Sequence, residues 1–366
     1  MCLHMEASKN IAVFRMGRLG DFISAIPALG IIKRQYPKSS ITYITSFDYS
    51  GGGAQKARKY VTTKTPEWFE LYNKTLIDDV VFIDNTKSIS QILAVRKKLK
   101  CKNITETVLL PFANESLLSR IKKYTFLHLA GLNAGIIHTS KVGDRNKPDY
   151  VSETTWAAVQ ATVKKFGINE FDISYPEPTI PQSAFQGILN IGKKYNFSLS
   201  KIAVIAVGAT YSHKQLPENR FSLTIKRLEE CGFTSVIIGS NNNHESGEKV
   251  FSLVKDSHVV NLVGQTTFME LAALMSIAKI VIGNDGGPMH LAAALGAPTL
   301  TIMSAIYKEN FWAPTNRNGA YIKLSPNCSG CRSESFCPNG TNECINEISA
   351  ENIIYNVEKI IYKHRL

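Results

Sequence analysis

The sequence predicts an α/β protein made of two domains, each with a parallel sheet that helices cover. A chain of 366 residues is long for one hydrophobic core and suits two. Short apolar runs alternate with segments of helical period in both halves, which is typical of Rossmann-like βαβ units. The alternation stops between residues 172 and 183, where three prolines occur. The predicted domains are therefore residues 1–175 and 184–348, followed by a C-terminal helix over 349–366.

The first half begins with an apolar run at 11–14, which predicts a buried strand. A glycine-containing turn leads into a helix over 22–36, whose apolar residues recur at helical spacing and which Pro37 ends. Further strands are predicted at 41–45, 80–83 and 107–110. Two strands with a helix between them form a βαβ unit, so the first domain is predicted to carry a parallel sheet.

The second half repeats this pattern from residue 202 onward. Strands are predicted at 202–207, 235–238, 259–260, 280–282 and 299–303, with helices at 221–231, 268–276 and 288–295. Residues 349–363 carry isoleucine and valine at helical spacing, which predicts an amphipathic helix that docks on the rest of the protein.

The strongest local motif is the turn between the strand at 280–282 and the following helix. It reads Gly-Asn-Asp285-Gly286-Gly287-Pro-Met-His290. A glycine-rich turn that opens a helix offers free N–H groups and a partial positive charge, which bind phosphate. The carboxyl ends of parallel strands are also where ligands bind in open α/β sheets. The alternative is a tight turn in which Asp285 only caps the helix.

Two other strand ends carry residues that suit a nucleotide. Thr210 and Lys214 follow the strand at 202–207, and a lysine there can neutralise a pyrophosphate. Glu245 follows the strand at 235–238, where a carboxylate can accept hydrogen bonds from ribose hydroxyls. Each residue alone is more often part of an ordinary loop, whereas three successive strand ends of this kind favour a nucleotide site.

The net charge of +12 is concentrated in the first half. Residues 1–150 contain 23 Lys and Arg against 12 Asp and Glu, while residues 151–366 contain 19 against 18. Such asymmetry favours an anionic partner, whether nucleic acid, an anionic membrane or a phosphorylated glycolipid. Nucleic acid is not expected, because aromatic residues are not interleaved with the basic ones. The alternative is that each cluster is a solvated helix face. The clusters are Arg96–Lys98 with Lys100 and Lys102, Arg120 with Lys122 and Lys123, and Lys141, Arg145 and Lys147.

Hydropathy predicts a cytoplasmic protein. No run of about 18 apolar residues occurs, and the first ten residues lack the apolar core of a signal peptide.

Three blocks of the sequence together resemble one family. They are Arg15-Met-Gly-Arg-Leu-Gly-Asp21 with the following helix, Asn261–Leu274 running into the Asp285 turn, and the cysteine-rich segment 328–345. They resemble, in order along the chain, the heptosyltransferases of bacterial glycosyltransferase family 9. Members of this family transfer a heptose from an ADP-sugar to the inner core of lipopolysaccharide.

The resemblance implies a GT-B architecture, with two Rossmann-like domains facing a cleft and the C-terminal helix packing back on the first. It implies an inverting transfer that requires no metal or other cofactor, with the ADP-sugar as donor substrate. The acceptor is implied to be an anionic glycolipid or oligosaccharide bound to the basic first domain. Peripheral contact with the cytoplasmic face of the inner membrane stays open.

The resemblance also implies a role for individual residues. Asp21 would be the catalytic base, which agrees with the need of an inverting displacement for one group that takes the acceptor proton. On sequence grounds alone, Asp21 could equally be a helix cap. Many relatives have Thr or Ser where this chain has Gly286, so a hydroxyl donor is missing. The implied donor contacts are Thr210 and Lys214 to the diphosphate, Glu245 to the ribose, Thr266 near the adenosine, and Asp285, Gly286, Gly287 and His290 around the phosphates and sugar; Arg15, Arg18 and Gly20 lie on the acceptor side.

Four cysteines near the C-terminus have the spacing C-x2-C-x5-C-x6-C. We expect free or loosely paired thiols at Cys328, Cys331, Cys337 and Cys344, rank a zinc site second and disulfides third.

Two alternatives to an ADP-heptose transferase stay open at this point. The donor could be another nucleotide sugar, or the chain could be a non-catalytic protein that binds a nucleotide sugar or nucleic acid.

Overall fold

The protein is described from a computed structural model, which shows two compact units. The described residues are 8–46, 66–83, 88–113, 115–134, 144–209, 211–254, 258–307, 310–333 and 336–366. Unit 1 comprises residues 1–148 and 153–179, and unit 2 comprises residues 149–152 and 180–366. Within the described residues, no helix is long and apolar enough to cross a membrane.

Unit 1 contains a four-stranded parallel sheet. Its strands are β1 (Asn10–Phe14), β2 (Ser40–Ser46), β3 (Asp79–Ile83) and β4 (Glu106–Leu109), in the order β3-β2-β1-β4. The central strand β1 pairs with β2 from Asn10 to Phe14, and residues 11–14 are fully buried. A strand buried on both faces needs a continuous apolar run, which explains the sequence of β1.

Four helices cover the two faces of this sheet. They are α1 (Leu19–Gln35), α2 (Ile89–Lys100), α3 (Leu117–Leu129) and α4 (Glu153–Phe166). Helices α2 and α3 bury residues in one cluster with Phe14 of β1 and Ile44 of β2. The opposite face carries α1, whose Phe22 ring lies 5.5 Å from Tyr43, and α4 packs against α1. Side chains of Tyr43 and Ile44 point to opposite faces because strands alternate.

Unit 2 contains a six-stranded parallel sheet in the order β10-β9-β8-β5-β6-β7. The strands are β5 (Ile202–Ala206), β6 (Thr234–Ile238), β7 (Val259–Asn261), β8 (Ile280–Asn284), β9 (Thr299–Met303) and β10 (Gly319–Lys323). The helices are α5 (Gln182–Lys194), α6 (Glu218–Glu230), α7 (His244–Ser252), α8 (Phe268–Ile277), α9 (Gly287–Ala294), α10 (Glu343–Asn346) and α11 (Ala350–His364). The predicted α/β class with parallel sheets is confirmed.

The C-terminal helix α11 packs on unit 2, which differs from the predicted packing on the first domain. Its buried residues Ile353, Val357 and Ile360 belong to the same core cluster as Phe221 and Ile225 of α6. Arg227 of α6 adds a 2.7 Å ion pair with Glu358. The amphipathic pattern predicted the helix and its apolar face correctly, but such a pattern does not specify the element on which that face packs.

Candidate active site

Asp21 lies in the first turn of α1, beside a glycine turn. Its Oδ2 accepts a 2.6 Å hydrogen bond from the backbone N–H of Arg18, the residue that caps the helix. Gly17 has a φ of 134°, a conformation that L-residues rarely adopt, and a β-carbon there would overlap the Asp21 carboxylate. The Gly-Arg-Leu-Gly-Asp segment therefore brings the backbone against this side chain and fixes its position.

Three cations surround the Asp21 carboxylate. Arg15 is buried, with 1% of its surface exposed, and donates to the Pro111 carbonyl at 3.0 Å and to the Ser24 hydroxyl at 2.8 Å. Its guanidinium lies 4.4 Å from the centre of the Phe112 ring. Arg18 is exposed beside the carboxylate. Arg15, an expected acceptor-side residue, is thus positioned inside unit 1.

Lys123 is the third cation, and it reaches the same place from α3. Its Nζ lies 4.8 Å from the Phe112 ring centre and 2.5 Å from Oε1 of Glu115. The side chains of Lys123 and Glu115 are only 9% and 5% exposed. Burial of both partners makes this pair costly to break, because removal of one leaves the other charge uncompensated.

Burial raises the pKa of Asp21 above its ordinary value, and the charges of Arg15, Arg18 and Lys123 oppose this rise. Burial lowers the pKa of Lys123, which Glu115 and Asp21 counteract. Tyr43 also faces this group, and burial raises the pKa of its phenol. A carboxyl whose pKa is moved upward by burial, beside cations that favour its ionised form, suits a general base.

Gly20, the other acceptor-side residue expected from the sequence, lies in the first turn of α1 and is half-buried.

In unit 2, the Asp285 turn joins β8 to α9. The N–H of Asp285 donates to the Ile302 carbonyl at 2.8 Å, and Gly286 caps the helix with Pro288 in the first turn. Gly286 has φ 177° and ψ 177°, an extended conformation open to any residue, and a β-carbon would meet only ordinary contacts at 3.7 Å or more. The backbone does not require glycine here, so a Thr or Ser at this position would fit without rearrangement.

His290 follows in the same helix and is 4% exposed. Burial lowers its pKa, against the effect of Asp285 and a hydrogen bond to the Trp312 backbone. Among the described residues, its Nδ1 has no hydrogen-bond partner. A buried, neutral imidazole beside a helix N-terminus can therefore offer Nδ1 to a ligand in the turn.

Asn284, which the sequence analysis did not single out, connects this turn to the segment that carries Lys214. Its Oδ1 accepts from the N–H of Leu216 at 3.0 Å, and its Nδ2 donates to the Val207 carbonyl at 2.8 Å. Asn284 is 1% exposed. Lys214 ends a short 3-10 turn over 212–214, two residues before Leu216. Thr210 lies outside the described residues.

The two remaining predicted donor residues occupy different surroundings. Glu245 is exposed in the first turn of α7 and forms a 2.8 Å ion pair with Lys249. The neighbouring Asn243 lies between the ends of β5 and β6, where it would touch a β-carbon at Gly208 or Gly239. Thr266 is half-buried immediately before Thr267, which caps α8.

Strand order brings the Asp285 turn, the Lys214 segment and the start of α7 together at one edge of unit 2, because β8, β5 and β6 are consecutive neighbours.

Comparison with known proteins decides the family. Residues 148–339 match the family model described as glycosyltransferase family 9 (heptosyltransferase). The chain belongs to glycosyltransferase family 9. It is therefore a heptosyltransferase-type glycosyltransferase, as the sequence predicted.

Among relatives, the chain is 22% identical to lipopolysaccharide heptosyltransferase 3 of Escherichia coli K12 over 93% of this chain and 95% of that protein. It is 27% identical to lipopolysaccharide heptosyltransferase 2 of the same strain, over 30% of this chain and only 32% of that protein. The chain thus spans about a third of that second relative in the matched region.

Two solved structures share the fold. The glycosyltransferase family 9 protein of Veillonella parvula superposes with a TM-score of 0.71 at 16% identity, covering 98% of this chain and 99% of that one. ADP-heptose heptosyltransferase II of E. coli superposes with a TM-score of 0.66 at 15% identity, covering 98% and 100%. The predicted GT-B fold is confirmed.

The cysteines of this family 9 chain are free thiols within the described residues. Burial and the neighbouring thiols raise the pKa of Cys344, whereas backbone N–H groups, that of Asn342 first, lower the pKa of Cys337. No group of three or more His, Cys, Asp or Glu residues that could hold a metal occurs in the described part of the chain.

Proposed function

We propose that the chain transfers a heptose, or a related sugar, from an ADP-sugar to a lipopolysaccharide core or another glycan acceptor, with inversion at the anomeric carbon. Asp21 acts as the base. The observation that carries the proposal is the arrangement at one edge of unit 2, where the Asp285 turn, Asn284 and the Lys214 segment meet. We infer that this edge binds the donor diphosphate.

The donor side of the proposal rests on charge and on free backbone donors. The N-terminus of α9 presents N–H groups and a partial positive charge at Gly286 and Gly287. Lys214 adds a full positive charge from the adjacent strand end. His290 supplies an unprotonated nitrogen for a hydroxyl of the sugar or ribose. Thr210 and Thr266 complete the proposed diphosphate and adenosine contacts.

The transfer needs a base for the acceptor hydroxyl and groups that stabilise the leaving diphosphate. A base removes the proton from the acceptor hydroxyl while its oxygen forms a bond to the anomeric carbon, and the bond from that carbon to the diphosphate breaks. The developing charge on the leaving diphosphate is then balanced by Lys214 and the positive end of α9. Lys214 and the N-terminus of α9 thus neutralise the leaving diphosphate, as a metal ion does in other transferases.

The acceptor side of the proposal rests on the surroundings of Asp21. Arg15 and Lys123 lower the pKa of Asp21 against the rise that burial causes, which favours the ionised form that a base requires. Arg18 is exposed beside it and can contact an anionic acceptor. A cytoplasmic location at the inner membrane belongs to the same proposal.

Another nucleotide sugar is the second candidate donor, because Lys214, the Asp285 turn and the expected ribose contact would engage the diphosphate and the ribose that nucleoside diphosphate sugars share. Glu245, the carboxylate expected to contact the ribose, is exposed and paired with Lys249. The ribose contact of any such donor therefore has to come from elsewhere, and Asn243 lies in a suitable position.

The test is a thermal-shift panel with ADP, UDP, GDP and ADP-sugars. Ligands that bind the native state raise its melting temperature, and the shift grows with the ratio of ligand concentration to Kd. We expect ADP to stabilise the protein and UDP and GDP not to do so. Stabilisation by UDP alone would overturn the ADP assignment, and no shift with any nucleotide would overturn the donor site itself.

A further inference from the structure

Helices α2 and α3 form the outer layer on one face of unit 1. Both bury residues in the same core cluster against the same face of the sheet, so their solvent faces point outward together. We call this the α2–α3 surface. Its exposed or half-exposed side chains are Ile89, Leu93, Leu117, Leu118, Ile121 and Leu129, with Arg96, Lys97, Lys98, Lys100, Arg120 and Lys122.

The apolar side chains on this surface are unusually exposed. Ile89 is 75% exposed, and Leu117 and Leu118 are 70% exposed. Unit 1 has seven large exposed hydrophobic residues among those described, and six of them lie on these two helices. On α3, the residues at 117, 121 and 129 fall on one line, since residues four apart are neighbours on a helix. A contiguous exposed patch of this kind marks an interaction surface.

The charges on the same surface have one sign. Helix α2 carries four Lys and Arg residues, α3 carries three, and neither contains an Asp or a Glu. Lys123 turns inward, where it pairs with Glu115, and Arg120 is half-buried. The other six form no ion pair within the described residues. Much of the positive charge of the first half therefore lies on the surface that also exposes the leucines.

The patch lies at the same edge of the sheet as Asp21. In a parallel sheet, the helices that follow the strands all begin at the carboxyl edge, and α1, α2 and α3 follow β1, β3 and β4. Ile89, Leu93, Leu117 and Leu118 occupy the first halves of their helices. The exposed apolar residues are thus near the edge at which α1 presents Asp21.

We propose that the α2–α3 surface docks unit 1 on a bilayer that contains anionic phospholipid. The leucines and isoleucines enter the boundary between headgroups and acyl chains, and the lysines and arginines contact the lipid phosphates. Because Ile89, Leu93, Leu117 and Leu118 lie in the first halves of α2 and α3, this docking holds the carboxyl edge of the sheet close to the bilayer, and a lipid-linked acceptor anchored there can approach Asp21 at the same edge.

Charge and chemistry favour a bilayer over two other occupants. Nucleic acid would match the cations but leave the leucines exposed to water. A second copy of the chain, paired through the same patch, would bury the leucines but would oppose six cations with six like charges. An anionic bilayer satisfies both kinds of side chain at once.

The first test measures vesicle binding by co-sedimentation of the full chain, without donor or acceptor. Vesicles of phosphatidylcholine with a quarter phosphatidylglycerol are compared with phosphatidylcholine alone. The triple variant Leu117→Ser/Leu118→Ser/Ile121→Ser is expected to bind at least about tenfold more weakly than the wild type, because it loses most of the inserted apolar area. The control replaces three leucines of unit 2 that are 43% to 49% exposed: Leu189→Ser/Leu223→Ser/Leu253→Ser.

The second test concerns charge. The variant Lys97→Gln/Lys98→Gln/Lys122→Gln is expected to lose at least about tenfold in binding to anionic vesicles, since each cation near an anionic surface contributes to attraction. Wild-type binding should weaken as salt rises. The control is Lys193→Gln/Lys226→Gln, two exposed lysines of unit 2.

Several results would overturn the proposal. The proposal is contradicted if the wild-type chain does not bind anionic vesicles, or if it binds both vesicle types equally. A wild-type dimer that the triple Ser variant converts to a monomer would also contradict it, because the α2–α3 surface would then bind a second copy of the chain. Equal losses in the unit 2 controls would show that the effect is not specific to this surface. Because no sugar donor is present, these outcomes are independent of the proposed transferase activity.

Discussion

Replacing Asn284 should disturb both the stability of unit 2 and the binding of the donor. The side chain accepts from Leu216 N–H at 3.0 Å and donates to the Val207 carbonyl at 2.8 Å, and it is 1% exposed. Asn284→Ala leaves one buried donor and one buried acceptor without partners. Each such group costs about 1–3 kcal/mol, so the free energy of unfolding should fall by about 2–6 kcal/mol.

Asn284 also holds the segment that carries Lys214, so its replacement should affect KM for the donor. Leu216 lies two residues after Lys214, so loss of the bond to its N–H frees the segment that carries the proposed diphosphate ligand. We expect KM for the donor to rise on the order of tenfold, because small displacements of a positioning group are costly. KM for the acceptor should change little, since acceptor contacts are proposed in unit 1.

Urea unfolding and initial rates below the melting temperature measure the two effects. Asn219→Ala, at an exposed position in the first turn of α6, is the matched control. It should change the free energy of unfolding by no more than about 0.5 kcal/mol and should leave KM for the donor unchanged. A stability loss in Asn284→Ala no larger than in the control would refute the hydrogen-bond argument. A large stability loss with unchanged donor KM would refute the link to Lys214.

Three further predictions concern the surroundings of Asp21 and His290. Gly17→Ala should lower the free energy of unfolding by about 1–3 kcal/mol and reduce turnover, because φ is 134° and the new β-carbon would overlap Asp21; Gly167→Ala, at φ 63° with open space around it, should leave turnover unchanged. Lys123→Met should destabilise the protein by about 3–5 kcal/mol by leaving its buried partner uncompensated. It should also move the acid limb of the kcat/KM profile to higher pH, since this cation lowers the pKa of Asp21; an unmoved limb in a folded variant would contradict the assigned base. The folded-state pKa of His290 is depressed, so its contribution to stability is present above its unfolded pKa of about 6.5 and is lost as pH falls. The melting temperature should therefore drop less on acidification in His290→Gln than in the wild type, and an equal drop would contradict this.

Periodicity was enough to predict nine of the ten strands among the described residues, because buried parallel strands are continuous apolar runs, but it predicted only about half of the helices there. It did not predict β10, whose sequence Gly-Ala-Tyr-Ile-Lys contains a glycine and a lysine and is only partly buried. Helix α11 was predicted, but the element on which it packs was not. An apolar stripe specifies that a face is buried and leaves the partner open.

The sequence predicted those parts of the candidate site that lie within short local motifs. The Asp285 turn follows from glycine and helix-start signals within a few residues, whereas Asp21 was assigned as the base from the family resemblance, because a local signal alone fits a helix cap equally well. Asn284, Glu115 and Lys123 were missed because their roles depend on contacts between residues far apart in the sequence, such as the pairing of β8 with β5. Glu245 was chosen for its position after a strand, and a regular helix start at His244 instead makes it a surface residue paired with Lys249.

The most direct test of the proposed transfer is to compare turnover and donor binding in Asp21→Asn. An asparagine can still accept the hydrogen bond from Arg18 N–H, so the helix start should be preserved. With an ADP-sugar and a lipopolysaccharide-core acceptor, release of ADP should fall at least about a hundredfold. The thermal shift caused by ADP should stay unchanged. Turnover close to that of the wild type would contradict the account of Asp21 as the base in a family 9 transfer.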